Sequence, residues 1–271
     1  MRAVGQVAAQ ALARAAALVA PGVTTDQLDQ AVHRSLVEAG AYPSPLGFKG
    51  FPKSCCTSVN EVVVHGIPDS RPLAAGDLLN VDVTAFMDGH HADTSATFMV
   101  GGAAPSSGAE EVVAGCWRAL QAALAVCGPG VPFRQLGQAV QAEAAALGLH
   151  TQPRFSGHGI GRAFHAAPSV RGAAPRGWWD LLGWLELLGH TDSWSVMRPG
   201  QAFTIEPILI ERNGSRLMRK LDDGWTWVST DRSLSAQFEV TVVVRRPEEG
   251  GGCEVLTPPL WQAARSDAAT Q

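Results

Sequence analysis

Between Asn80 and Phe98 the chain reads NVDVTAFMDGHHADTSATF, an apolar, strand-like run that carries two acids, Asp82 and Asp93. An ionised carboxylate inside a packed sheet is costly unless a cation or strong hydrogen bonds compensate it, so each acid needs a partner. Asp88-Gly89 is a hairpin signal, and a two-residue turn there sets Asp93 opposite Thr84 on the neighbouring strand. Thr84 and Asp82 share a face, so the two acids stand diagonally, roughly 7–8 Å apart at the backbone and within reach of one cation. His90 and His91 follow the turn directly; a longer loop through them is the alternative and would change that register.

Further on come His158 in FSGHGIG, His165 in FHAAP, Glu206 in FTIEP and Glu239 in SAQFEVTVVV. In the last run Gln237, Glu239 and Thr241 alternate with Phe238, Val240 and Val242, which predicts a half-buried strand with the acid on its polar side. Glu206 precedes Pro207, where a strand is about to end. Two Asp, two Glu and one His form an oxygen-rich set that suits Mn, Fe, Co or Zn and is poor for thiolate-loving metals. Five ligands exceed what one catalytic zinc takes, whereas a pair of ions with bridging carboxylates uses them all and activates water for hydrolysis. Any one of these acids alone also suits a surface or hydrogen-bonded structural role; the set as a whole carries the reading. No GxSxG elbow, HExxH helix or GxxxxGK[ST] loop is present, so serine hydrolase, thermolysin-like and phosphate-loop chemistries lose their signatures. The glycines of GHGIG read as close backbone approach around His158, or as a turn.

The elements that must position these groups read as mixed α and β (α+β). Helical patterns at about 3–19, 26–39, 109–126 and 132–147 alternate with strand-like runs near 61–65, 77–86, 92–100, 202–210 and 236–245. The spacing of Thr24 and Gln27 predicts a capping box opening the second helix. Each half has helices followed by strands bearing two acids, so four acids could meet at a central seam; chance similarity between amphipathic strands is the competing account.

At 271 residues and 46% hydrophobic content the chain can bury a large core. A formal net charge of −4 leaves no basic footprint, which argues against nucleic acid or an anionic membrane as partner. Five cysteines without a CxxC pair suggest a reducing compartment and small buried or pocket-lining thiols. The start, MRAVGQVAAQALARAAALVAPG, has the composition of a transit segment, yet an ordinary first helix ending at Pro21-Gly22 is the better reading. No stretch is long and apolar enough to span a bilayer, so a soluble protein is expected.

At these residues the chain resembles the methionine aminopeptidases of type I, within the pita-bread metallopeptidases. The pieces that carry the resemblance are AYPSPLGFKGFPKSCCTSVNEVVVHGIPDSR, NVDVT, ADTS, GHGIG, FTIEP and DDGWTWVSTDRSLSAQFE, in that order, within a match from about Ala3 to Leu256. The resemblance implies a pseudo-two-fold antiparallel sheet flanked by helices, forming a single catalytic domain over residues 1–271. It implies two divalent metal ions, with Asp82 gripping one, Asp93 and Glu239 bridging, and His158 and Glu206 holding the other. Glu206 is also implied as proton acceptor, and His65 and His165 as groups that contact substrate and stabilise charge at the scissile amide. Phe48, Phe51, Cys56, Phe164 and Trp225 align with the pocket for a terminal methionine side chain, although core packing would explain the same five residues. The implied reaction is removal of the initiator methionine from nascent polypeptides when the second residue is small. A monomer with transient proximity to the ribosome goes with it, in the cytoplasm, or in the mitochondrial or plastid matrix if a transit peptide lies upstream. Glu206 and Glu239 are 33 positions apart, leaving no room for the helical subdomain of the type II enzymes.

Three departures stand out. Val240 occupies a position that is usually His, Ala92 one that is usually Gly, and GAAPRGWWDLLGWLELLGHTDSWSV, Gly172–Val196, is an atypical Trp-rich insertion. Its apolar stripe at 178, 181, 182, 185 and 188 would pack on the body, cover the site, or bind a partner or a membrane surface; an insertion without function is an equal reading. Two other functions compete with the leading one: an Xaa-Pro aminopeptidase of the same fold, and a non-catalytic pita-bread protein that binds peptides.

Overall fold

A computed structural model describes residues 1–102, 107–172 and 195–260 of the chain. The Trp-rich insertion lies, from 173 to 194, outside the described residues. Four helices, α1 (Arg2–Ala16), α2 (Thr25–Glu38), α3 (Ser107–Val126) and α4 (Arg134–Ala146), pack in pairs, α1 with α2 and α3 with α4, against antiparallel strands. None is long and apolar enough to cross a membrane. In α1, Val4, Ala8, Leu12 and Ala15 recur at helical spacing and are buried, and this stripe covers the strand hairpin Leu78–Met87/His90–Met99. In α2, Thr24 accepts from the Gln27 amide while Gln27 Oε1 accepts from the Thr24 amide, so the capping box forms as its spacing predicts.

The hairpin turns through Asp88 and Gly89, both in the left-handed region (φ +50° and +76°), which the right-handed twist of the two strands favours. His90 pairs with Met87, so the two histidines join the strand and do not lengthen the loop. Leu79, Val81, Val83 and Ala85 are fully buried on the helix side; Asn80, Asp82 and Thr84 occupy the other face. The hairpin belongs to a four-stranded sheet with Tyr42–Pro43 and Cys56–Val59.

A five-stranded sheet in the second half runs Cys253–Val255, Val240–Val244, Ala202–Ile205, Ser156–Gly159, Ala166–Arg171. It meets the hairpin where Ser95 and Glu239 exchange backbone hydrogen bonds of 3.2 and 3.0 Å. Beside that bridge the Asp93 amide donates to Thr241 Oγ1, and Thr241 Oγ1 donates back to the Asp93 carbonyl. Two shorter sheets, Ser235–Gln237 with Ile208–Ile210 and His150–Thr151, and Met218–Lys220 with Trp227–Ser229 and Val62–Val64, complete the described strands.

Three expectations need correction. The run 202–210 is two strands, Ala202–Ile205 and Ile208–Ile210, interrupted at Glu206-Pro207, because Pro207 has no amide to continue the ladder. The run 236–245 likewise splits into Ser235–Gln237 and Val240–Val244 around Phe238 and Glu239. Nor is it half-buried: Gln237, Phe238, Glu239, Val240 and Thr241 are all buried, so Glu239 faces an interior cavity and not a polar surface. Val240 and Ala92, at the two unusual positions, are both fully buried in the main core.

Candidate metal centre and its pocket

Asp82, Asp93, His158, Glu206 and Glu239 come from five separate places in the chain and line one cavity of about 690 Å³. The hairpin register sets Thr84 opposite Asp93 and Ser95 opposite Asp82, so both aspartates rise from one sheet face as the turn signal implies. Glu206 and Glu239 are delivered by the two strand interruptions. His158 lies on Ser156–Gly159 between two glycines whose absent side chains matter. A Cβ at Gly157 would stand 2.3 Å from the Thr204 carbonyl oxygen, and one at Gly159 only 2.1 Å from that of Ala167. Close backbone approach therefore accounts for these glycines, and the turn alternative falls away: neither has a positive φ.

His158 Nε2 is 3.8 Å from Asp93 Oδ2 and 3.9 Å from Glu206 Oε1. Its Nδ1 lies 3.2 Å from the Gly159 carbonyl, to which only a protonated nitrogen can donate, so Nε2 keeps its lone pair facing the acids. Asp93, His158 and Glu239 offer three ligand atoms that lie within 4.8 Å of one another. Around them the carboxylates are oriented by neighbours: Thr84 Oγ1 donates to Asp93 (2.8 Å), Thr204 Oγ1 to Glu206 (3.1 Å) and Gln237 Nε2 to Glu206 (3.2 Å). By contrast Asp82 Oδ1 and Glu239 Oε1 are buried without any hydrogen-bond partner. Orphaned buried acceptors at two corners of the cluster are what a cation would satisfy.

The electrostatics agree. Burial, reinforced by the Asp93 charge, lifts Asp82 and Glu239 well above the usual carboxylate range. Glu206 is pushed up to about 8 by burial and then by Asp93. Asp93 is raised by burial and pulled back by His158 and Thr84, while burial lowers His158. Four acids crowded in one cavity cannot all ionise without a countercharge, and hard oxygens with one imidazole nitrogen suit divalent ions.

Phe48, Phe51, Cys56, His65, Phe164, His165 and Trp225 line the same cavity. Phe48 packs on Phe164 (centroids 5.0 Å apart) and Phe51 meets Trp225 edge to face at 5.2 Å. His65 abuts Phe155 at 5.4 Å, and its backbone is in the left-handed region (φ +58°), strain for a residue with a Cβ that recurs at functional positions. Burial, with Lys220 nearby, lowers His65 to about 4, so its imidazole is neutral near pH 7. His165 stacks on Phe164 at 4.1 Å and lies 4.3 Å from His158; desolvation, and then the charges of His158 and His65, lower it to about 3. The Cys56 thiol is raised by burial and then by Asp82, which keeps it neutral and soft.

Sequence reasoning left out Thr84, Thr204 and Gln237 as supporting groups, and Lys49, Arg154 and Phe155 as cavity residues. The first three had a signal: each stands two residues before a ligand candidate, or opposite one, on the same strand face.

The profile of metallopeptidase family M24 matches residues 1–246. The mitochondrial methionine aminopeptidase 1D of Dictyostelium discoideum is 43% identical over 258 residues, 95% of this chain and 58% of that protein. The chloroplastic/mitochondrial methionine aminopeptidase 1D of Arabidopsis thaliana is 44% identical over 95% of this chain and 67% of its own length. This chain thus spans about three fifths to two thirds of those relatives. Among solved structures, methionine aminopeptidase from Rickettsia prowazekii superposes with a TM-score of 0.83 at 35% identity, covering 95% of both chains. Prolidase from Pyrococcus furiosus, at 17% identity and a TM-score of 0.67, shares the fold. The two linked antiparallel sheets with helices packed against them are the pita-bread architecture of these neighbours, and the chain belongs to metallopeptidase family M24, with the methionine aminopeptidases.

Proposed function

We propose that this chain is a methionyl aminopeptidase that removes the initiator methionine from nascent polypeptides whose second residue is small, acting as one catalytic domain over residues 1–271. The observation that carries this reading is a single cavity with a floor of hard donors and a wall of aromatic rings and a thiol. Asp82 and Asp93 would hold one divalent ion, His158 and Glu206 the other, with Asp93 and Glu239 shared. Ions of the Co, Mn, Fe or Zn kind supply Lewis acidity to the scissile carbonyl and to the attacking water. Glu206, oriented by Thr204 and Gln237, would accept the proton that the water gives up. His65 and His165, neutral near pH 7, donate hydrogen bonds to the substrate without adding charge to the site. Phe48, Phe51, Cys56, Phe164 and Trp225 enclose the methionine side chain, for which polarizable and aromatic walls are favourable partners.

The test is methionine release from a Met-Gly peptide by metal-loaded protein, with and without a chelator, beside Asp93→Ala. Release that persists in chelator, or in the variant, overturns the reading. Turnover of Met-Ala against Xaa-Pro peptides separates it from an Xaa-Pro aminopeptidase, and failure to bind Mn or Co would favour a non-catalytic peptide-binding protein. We further propose a monomer that meets its substrates near the ribosome. The mitochondrial and chloroplastic names of the relatives support an organelle matrix, with the cytoplasm as the alternative.

A further inference from the structure

Away from that cavity, three sulfurs from three segments converge. Cys127 follows the end of α3. Met197 is carried to it by paired backbone bonds, Gly130 N–H to the Met197 carbonyl and Met197 N–H to the Val131 carbonyl, both 2.8 Å. Cys253 enters from the strand Cys253–Val255, after a turn of three glycines, Gly250 to Gly252, all in the left-handed region. There the backbones nearly touch: a Cβ at Gly128 would come within 3.4 Å of the Gly252 Cα. Cys127 Sγ is 3.7 Å from Met197 Sδ, and Cys253 follows Gly252, at which a Cβ would stand 3.8 Å from the Cys127 carbonyl oxygen; the two thiols act on each other's ionisation, Cys253 raising Cys127 and Cys127 lowering Cys253. Cys127 and Met197 are buried at 3% and 1% exposure, while Cys253 is partly open to solvent and gives a route inward. None of the three lines the catalytic cavity.

Two thiols and a thioether are a soft donor set. Thiolate and thioether ligands select Cu(I), whereas zinc takes four ligands and favours nitrogen, oxygen and thiolate. Metal–sulfur bonds of about 2.3 Å in a plane place neighbouring sulfurs about 4 Å apart, close to the separation of Cys127 and Met197. We propose that Cys127, Met197 and Cys253 form a thiophilic cation site that takes Cu(I). On binding, both thiols lose their protons to solvent and the copper stays monovalent; the resulting single negative charge faces Arg245, whose charge already acts on Cys253.

The experiment is an anaerobic titration of the divalent-metal-loaded protein with Cu(I) buffered by bicinchoninate, followed by copper K-edge absorption. One Cu(I) per chain with a shell of sulfur neighbours at about 2.3 Å is expected. Cys253→Ser should weaken binding at least about 100-fold and Met197→Leu about tenfold, while Cys56→Ser, in the other cavity, leaves it unchanged. These two variants are chosen because Cys253 is partly exposed and Leu preserves the volume of Met; their circular dichroism is compared with that of the parent. Absence of tight binding, binding unaffected by Cys253→Ser, binding lost in Cys56→Ser, or a nitrogen and oxygen shell each overturns the proposal.

Discussion

Asp82 and Asp93 stand in the middle of two ten-residue strands, whereas Glu206 and Glu239 stand where strands are broken. In the hairpin, the register fixes the face from which the aspartates rise, because alternate residues share a face and the turn sets which residues are opposite. The second half works differently: a proline stops one strand, the other pauses beside the first half, and side-chain hydrogen bonds hold Glu206 while backbone bonds to Ser95 hold Glu239. A mid-strand acid is thus located by local sequence, and an acid at a break by its neighbours. The two pairs should respond differently when their supports are removed.

The largest effect is expected where the halves meet. Asp93 accepts from Thr84, lies 3.8 Å from His158 and is tied through its backbone to Thr241. Asp93→Ala should lower methionine release by about three orders of magnitude or more, measured as kcat/KM on a Met-Gly peptide. Next come the supports. Thr204 both accepts from the His158 amide and donates to Glu206, whereas Thr84 makes one contact to an acid already placed by the register. Thr204→Val should therefore weaken divalent-metal affinity about 100-fold and Thr84→Val about tenfold, read by calorimetry. The reverse order would break the contrast between the halves.

A third expectation follows from the raised acids. Unfolded glutamate ionises near 4.5 and folded Glu206 near 8, so the metal-free folded state binds the extra proton between those values. Below about pH 6.5 the lowered His65, His158 and His165 act in the opposite direction, so the fall in stability of the chelated protein should show from about pH 6.5 to 8, with Asp82 and Glu239 acting in the same direction as Glu206. A Tm lower at pH 8 than at pH 6.5 by on the order of 5 °C is expected for chelated protein. Divalent metal should remove that slope, because its affinity rises as the ligands lose protons. The smallest effect serves as a control remote from both pairs. Thr24→Ala removes the cap of α2 and should cost about 1 kcal/mol in denaturant unfolding, with turnover unchanged.

The hairpin, the capping box and the shared face of the two aspartates were legible because each is set by residues close in sequence. The break at Phe238-Glu239 was not, since the alternation of Gln237, Glu239 and Thr241 with Phe238, Val240 and Val242 runs straight through it. That at Glu206 was marked by Pro207. The gathering of the five ligand candidates with their aromatic wall came into view through family resemblance, because convergence from five distant segments leaves no local pattern. The sulfurs of Cys127, Met197 and Cys253 were invisible for the same reason: they are 70 and 56 positions apart along the chain.

The reciprocal bonds joining Ser95 to Glu239 and Asp93 to Thr241 have a bearing on biosynthesis. A polypeptide made from its N-terminus can close the first hairpin early, but that hairpin waits for a partner some 145 residues downstream. Any ion site that spans the two halves is therefore postponed until Glu239 and Thr241 have left the ribosome, and the first hairpin cannot complete it alone.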